Sequence, residues 1–348
     1  MTFTDTRINK KSKIIVGLSG GVDSSVALAT LKKIAGDVVG VSLKMRPDQS
    51  FDLAKKVCEK LDVKFHVIDI QKSFSKCVTW YFKKSLENNQ TPSPCVRCNR
   101  DVKFAALADF ADQIGAEFIA TGHYARVEKD SNRYVLKKGL DVVKDQSYFL
   151  TFLPKQLLAR IIFPLGSKTK EEVREIAKQE GLDFFDGVNE SSDACFFDSM
   201  SQDEYLRKNF AGKSGKIVDE SGKVLGKHEG LHFYTIGQRK GIGLSGGPYF
   251  VLDKDSSLNR LVVTTDEKKI YQDSLIVKKY NLLSIDKIED EMQVDVKIRS
   301  TQKAFKGVLY QKGDNIEVKF SKPQRAVTSG QIAAFYRDDV LLGGGEIA

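Results

Sequence analysis

Over the first 125 residues, short apolar runs alternate with segments whose apolar positions recur every three to four residues. KIIVGL, DVVGVSLK, VKFHVIDI and EFIATG read as strands. VDSSVALATLKKIA, SFDLAKKVCEKL, a stretch from about Ser73 to Glu87, and VKFAALADFADQIGA read as helices. Such alternation predicts an α/β fold, a parallel doubly wound sheet with helices on both faces. Its ligand crevice should lie at the carboxyl ends of the strands. Residues 126–139 read as a hairpin turning at DSN, and KTKEEVREIAKQEGL as a helix closed by glycine. Beyond Met200 the period shortens to two, glycines multiply, and only QDEYLRKNF keeps a helical pattern. The expected division is an α/β domain over 1–199, a small central β-rich domain over 200–268, and a C-terminal β-barrel over 269–348.

The chain has 348 residues, 41% hydrophobic and 29% charged, which is a globular composition too long for one core. No apolar run approaches the roughly 20 residues of a membrane span, and MTFTDTRINKKSK lacks the apolar stretch of a secretory signal. A cytoplasmic protein with no membrane partner is expected. The five cysteines fit reduced thiols better than a disulfide framework. Cys58 and Cys77 sit in helical patterns as small hydrophobes, whereas Cys95, Cys98 and Cys195 lie in stretches that read as loops. The net charge is +9, and residues 278–325 hold 11 Lys/Arg against 7 Asp/Glu. That excess permits a polyanionic partner in the β region without requiring one.

GLSGGVDSS, Gly17 to Ser25, follows a strand and opens a helix, the setting in which glycine-rich loops hold phosphates. Gly20 and Gly21 can turn backbone N–H groups toward an anion, and Ser19, Ser24 and Ser25 can donate hydroxyls. Asp23 would repel phosphate unless it holds Mg2+, or it could cap the helix. Neither GxxxxGK[ST] nor GxGxxG is present. SGGVDS instead resembles the PP-loop of ATP pyrophosphatases, enzymes that cleave ATP between the α and β phosphates.

The pair Cys95 and Cys98 could begin a zinc site, a redox dithiol, an iron–sulfur site or a sulfur-transfer centre. A larger resemblance bears on the choice. SGGVDSS, the PCxxCN loop, ATGHYAR, GLDVVKDQSYFL, SSDACFF, HEGLHFYTIGQRKGIGL, VTSGQIAAFY and LGGG occur in this order over nearly the whole chain. The set resembles the bacterial tRNA-specific 2-thiouridylase family.

That resemblance implies ATP- and Mg2+-dependent 2-thiolation of the wobble uridine in tRNAs for Lys, Glu and Gln, fed by a persulfide donor. It implies Cys98 and Cys195 as the catalytic thiols, with Cys195 carrying the persulfide. Cys98 would attack that persulfide to free sulfide or to form a disulfide. ATP contacts are implied for Gly17, Leu18, Ser19, Gly20, Gly21, Val22, Asp23, Ser24, Leu43 and Gly122. Contacts to tRNA are implied for Ser93, Pro94, His123, Lys144, Asp145, Gln146, Arg299, Ser300 and Gln331. Where many relatives read NPDxxCN, this chain has Cys95 in place of the aspartate, and its thiolate could take the aspartate's catalytic place. Cys95, Cys98 and Cys195 could therefore hold a [4Fe-4S] cluster by three thiolates, and zinc would need a fourth ligand. A different PP-loop ligase acting on RNA, and a silent RNA-binding module, are the competing functional readings.

Overall fold

The computed structural model describes residues 3–185, 195–197, 200–289 and 291–348. The β-branched run Lys13–Gly17 (β1) becomes a central strand because Ile14, Ile15 and Val16 bury both of its faces completely. Each such side chain contributes roughly 1.5–3 kcal/mol. β2 (Asp37–Lys44), β3 (Lys64–Asp69) and β4 (Phe118–Thr121) follow. After them come the hairpin β5 (Ala125–Asp130) and β6 (Arg133–Lys138), then β7 (Ile161–Ile162). The first sheet runs β3-β2-β1-β4-β7, all parallel. Helices Val22–Lys32, Asp52–Lys60 and Lys170–Gln179 pack on one face. The helical runs 71–87 and 94–114 cover the other, so the sheet is doubly wound as expected. Strand order reverses between β1 and β4, which places the crevice beside the glycine-rich loop.

Both helical runs on the second face carry a π turn, across Ser75–Thr79 and across Asn99–Lys103. The PCxxC stretch differs from its expected loop. Pro94 occupies the first helical position and Pro94–Cys98 continues through the π turn into Phe104–Ile114. Proline suits that position, where its missing N–H is not needed.

Beyond residue 200, β8 (Gly215–Val218), β9 (Val224–His228), β10 (Phe250–Asp255) and β11 (Arg260–Thr264) form a four-stranded sheet. Six longer strands follow: β12 (Tyr271–Leu282), β13 (Met292–Lys297), β14 (Phe305–Lys312), β15 (Asn315–Arg325), β16 (Ile332–Arg337) and β17 (Val340–Ile347). They close as a barrel in the order β12-β15-β14-β13-β16-β17, with β17 pairing back to β12. The hairpin from the α/β part joins this barrel, since β6 pairs with Val340 and Leu341 of β17. Closure needs Gly343–Gly345. A Cβ on Gly344 would lie 2.2 Å from the Ala333 carbonyl oxygen, and one on Gly343 would lie 2.2 Å from that of Asn281. Among the described residues no helix is long and apolar enough to cross a membrane.

Candidate active site

The glycine-rich loop leaves β1 at Gly17 and enters its helix through Gly21, with Gly20 at φ +82°. Its serines set the turn. The Ser24 hydroxyl accepts from the Ser19 N–H at 3.2 Å and donates to the Gly21 carbonyl at 3.0 Å, as does Ser25 at 3.0 Å. Ser24 and Ser25 are buried, whereas Ser19 is exposed, its hydroxyl accepting from the Gly21 N–H at 3.3 Å and lying 3.2 Å from the Ser24 hydroxyl. Leu18 is pinned to β2 through the Val41 carbonyl and the Ser42 hydroxyl. Gly122, just past β4, allows the loop to approach, because a Cβ there would lie 2.8 Å from the Asp23 carbonyl carbon and the Ser24 nitrogen. Val22 is half-buried against the first helical face, and Leu43 is buried at the end of β2. Glycines at the start of a helix, aligned N–H groups and a favourable dipole make this a cradle for a polyphosphate.

Asp23 does not cap the helix. Its Oδ1 accepts from Lys170 Nζ at 2.7 Å and from the Tyr124 hydroxyl at 2.9 Å. The Lys170 side chain is 4% exposed, so a buried cation offsets the carboxylate that would otherwise face the phosphates. The same helix start is tied to the LDVVKDQ turn by Asp141, which accepts from the N–H groups of Lys170, Lys144 and Val143. Burial works against the Asp141 charge, but those N–H groups hold its carboxyl below the usual range.

Three thiols gather at the crevice. Cys95 and Cys98, three residues apart, share one face of the helix that Pro94 opens. Cys195 is exposed, with its Sγ 4.0 Å from Met45 Sδ beyond β2. It lies close enough to both helical thiols for its charge to push them up. Burial is the larger cause. It raises Cys95 and pushes Cys98 up to about 12, with the Lys103 cation acting the other way on both. Arg97 and Arg100, the cations adjacent in sequence, are engaged elsewhere. Arg97 pairs with Glu346 of the barrel at 3.2 Å and lies over Tyr81, while Arg100 pairs with Asp101. Asn99, after Cys98, donates to the Phe149 carbonyl at 2.9 Å. Its buried Oδ1 has no partner among the described residues.

Lys103 links the thiols to the loop, because it also acts on His123 beside Gly122. Burial and that cation hold the His123 imidazole well below its ordinary value. Its Nδ1 is 2.7 Å from the Thr121 hydroxyl, and its ring packs in a triangle with Phe104 and Phe163, each 5.9 Å away. Asp145 and Gln146 brace the turn. Asp145 accepts from the N–H groups of Gly139 and Ser147, and Gln146 accepts from the Tyr124 N–H. Lys144 is half-buried in the same turn. Ser93 adjoins Tyr81 and Tyr148, and Tyr148 feels Arg299. Arg299 donates to the Ala326 carbonyl at 2.9 Å, with Ser300 in the turn beside it. Gln331 donates to the Thr91 carbonyl at 3.2 Å, so the barrel loop rests on the approach to the cysteine helix. Sequence reasoning missed Lys103, Tyr124 and Lys170. The first two stand inside CNRDVKF and ATGHYAR, but nothing local ties a lysine at 170 to the loop at 23.

Among the described residues no set of three or more His, Cys, Asp or Glu is gathered so as to hold a metal ion. Residues 186–194, 198 and 199 of the stretch flanking Cys195 lie outside the described residues.

Comparison with known proteins covers almost the whole length. Residues 12–199 match the family model for the tRNA methyl transferase HUP domain. Residues 203–265 match the tRNA methyl transferase PRC-barrel domain, and 272–347 the aminomethyltransferase beta-barrel domain. The tRNA-specific 2-thiouridylase MnmA of Clostridium acetobutylicum is 40% identical over 353 residues, 96% of this chain and 99% of that one. MnmA 2 of Clostridium botulinum is 38% identical, covering 97% and 98%. MnmA of Clostridium perfringens is 39% identical, with the same coverage.

Proposed function

The chain belongs to the bacterial tRNA-specific 2-thiouridylase family, and on that premise we propose that it is a tRNA-uridine 2-sulfurtransferase acting on the wobble uridine of Lys, Glu and Gln tRNAs. ATP, with Mg2+, supplies the activating group, and the loop Gly17–Ser24 with Leu43 and Gly122 receives it. The uracil O2 attacks the α-phosphorus and pyrophosphate leaves. A carbonyl oxygen, a poor leaving group, thereby becomes part of AMP. A sulfur donor, either a cysteine desulfurase or a relay protein, loads Cys195 as a persulfide. The terminal sulfur attacks C2 and AMP departs with the C2–O electrons. Cys98 then attacks the Cys195 sulfur, the S–S bond to the transferred sulfur breaks, and a C2 thiocarbonyl and a Cys98–Cys195 disulfide remain. An external dithiol reduces that disulfide. The same attack made earlier would release hydrosulfide as the nucleophile.

The observation that carries this reading is the convergence of Cys95 and Cys98, on one helical turn, with Cys195 at the sheet end that holds the phosphate cradle. Lys103 is the cation placed to favour the Cys98 thiolate. Cys95 stands where many members of the family carry aspartate, and its thiolate could replace that carboxylate. Ser93, Pro94, His123, Lys144, Asp145, Gln146, Arg299, Ser300 and Gln331 are assigned to tRNA, through which binding would close the site around the base.

The test is formation of 2-thiouridine by chelator-treated, iron-free protein given tRNA, Mg·ATP and a persulfide donor, read by nucleoside mass spectrometry. Product supports persulfide transfer through Cys98 and Cys195. Product that appears only after anaerobic reconstitution with iron and sulfide overturns that route in favour of a cluster. No product under either condition sinks the thiolation reading.

A further inference from the structure

The helical run 71–87 has two faces with different work. Inward, Phe74 and Phe82 are buried, and their rings meet Phe196 at 6.3 and 5.2 Å, immediately after Cys195. Tyr81 lies under the Arg97 guanidinium on the cysteine helix. The run therefore seats both cysteine-bearing segments.

Outward, it presents Lys72, Lys76, Trp80 and Lys83, all exposed and spaced by three or four residues, hence one stripe. Trp80 is 62% exposed although it is the chain's only tryptophan. Among the described residues Lys72, Lys76 and Lys83 have no carboxylate within ion-pair distance. Lys84, beside the stripe, is paired with Glu87 at 3.2 Å. Nothing in the packing calls for an indole in water flanked by unneutralised ammonium groups. That combination suits a partner with both a π face and a row of negative charges, which is a nucleic-acid strand. At 1.5 Å per residue the stripe from Lys72 to Lys83 is about 16 Å long, enough for two or three phosphates. A protein partner would supply carboxylates for the lysines but has no general reason to offer a stacking face between them.

We propose that this stripe is a tRNA-binding surface, its lysines on successive phosphates and Trp80 stacked on an unpaired base of the substrate tRNA. The proposal rests on the tRNA substrate assigned above. It adds a contact on the catalytic part of the chain, against the very helix that holds the Cys195 turn. Occupation of the stripe thereby stiffens the support under both thiol-bearing segments.

The sole tryptophan makes the test direct. The full-length protein is titrated with unmodified substrate tRNA, following Trp80 emission and, in parallel, retention of labelled tRNA on a filter. Emission should be quenched with the same midpoint as retention. Trp80→Ala should weaken retention about five- to hundredfold, with Trp80→Phe intermediate. Exchanging Lys72, Lys76 and Lys83 for Gln should lower the slope of log affinity against log salt by about two to three. Because all four side chains are exposed, these variants leave the packing alone. Retention with unmoved emission, or variants that bind like the parent, would overturn the stripe while leaving tRNA recognition intact. Quenching by a persulfide-carrying protein and not by tRNA would overturn it in favour of a protein partner. Failure of the parent to retain tRNA would refute the substrate assignment beneath it.

Discussion

Replacing Lys170 by Met tests whether a buried cation is what lets an aspartate stand in the phosphate loop. Lys170 Nζ is 2.7 Å from Asp23 Oδ1 and its side chain is 4% exposed, against 35% for Asp23. Loss of one partner of a fully buried pair costs about 3–5 kcal/mol. Here the penalty is smaller, about 2 kcal/mol, because Asp23 keeps water, the Tyr124 hydroxyl and the positive end of its helix. The larger effect falls on ATP. For a separation taken as about 6 Å, a released carboxylate repels a phosphate oxygen by roughly 2–3 kcal/mol at an effective dielectric constant near 20. After partial screening, ATP affinity should fall about 10- to 50-fold. Isothermal titration with a non-hydrolysable ATP analogue measures this, and thermal melting measures the stability loss. The double variant Lys170→Met with Asp23→Asn should recover most of the lost affinity, since no naked charge remains. If the single variant binds the analogue like the parent, or the double variant is no better than the single, charge compensation is not the role of Lys170.

Cys98, pushed up to about 12 chiefly by burial, should be alkylated by iodoacetamide far more slowly at neutral pH than exposed Cys195, as mapped by peptide mass spectrometry. Its rate should climb as pH approaches 12, and Lys103→Met should slow it roughly tenfold at fixed pH. Equal labelling of the two cysteines would contradict the burial. The raised value also bears on stability. Below the ordinary thiol value of 9.0 both folded and unfolded chains keep the proton. Between 9 and about 12 only the unfolded chain releases it, so stability contributed by the buried thiol is lost as pH rises through that window. Gly344→Ala should abolish closure of the barrel, since the new Cβ meets backbone at 2.2 Å. A melting temperature within a degree or two of the parent would show that β17 has room to shift.

Much of the α/β part was legible because burial on two faces leaves a signature in sequence. The short β-branched run KIIVG ending at glycine reads as a buried strand, and the 3.6-residue period of FAALADFADQI as an amphipathic helix. The glycine-rich turn was legible for the same local reason, as its glycines and serines make their own hydrogen bonds. PCVRC was misread because two prolines suggest a loop, whereas the second begins a helix. LGGGEI carried no strand signal, because its glycines are dictated by neighbours far away in sequence, Asn281 and Ala333.

The sequence by itself determined most elements of the α/β part, the glycine-rich turn and which thiols were candidates, since these depend on residues within a few positions of one another. Only the tertiary structure decided what sits beside them. It joined β6 of the catalytic part to β17 of the barrel, paired Arg97 with Glu346, and brought Lys170 to Asp23 and Cys195 to Cys98. Those pairings span from about 100 to 250 residues, and no local pattern encodes them. They follow from which faces the sheet and barrel bury against each other, and from the low dielectric there, which turns proximity into charge compensation and raised thiol values.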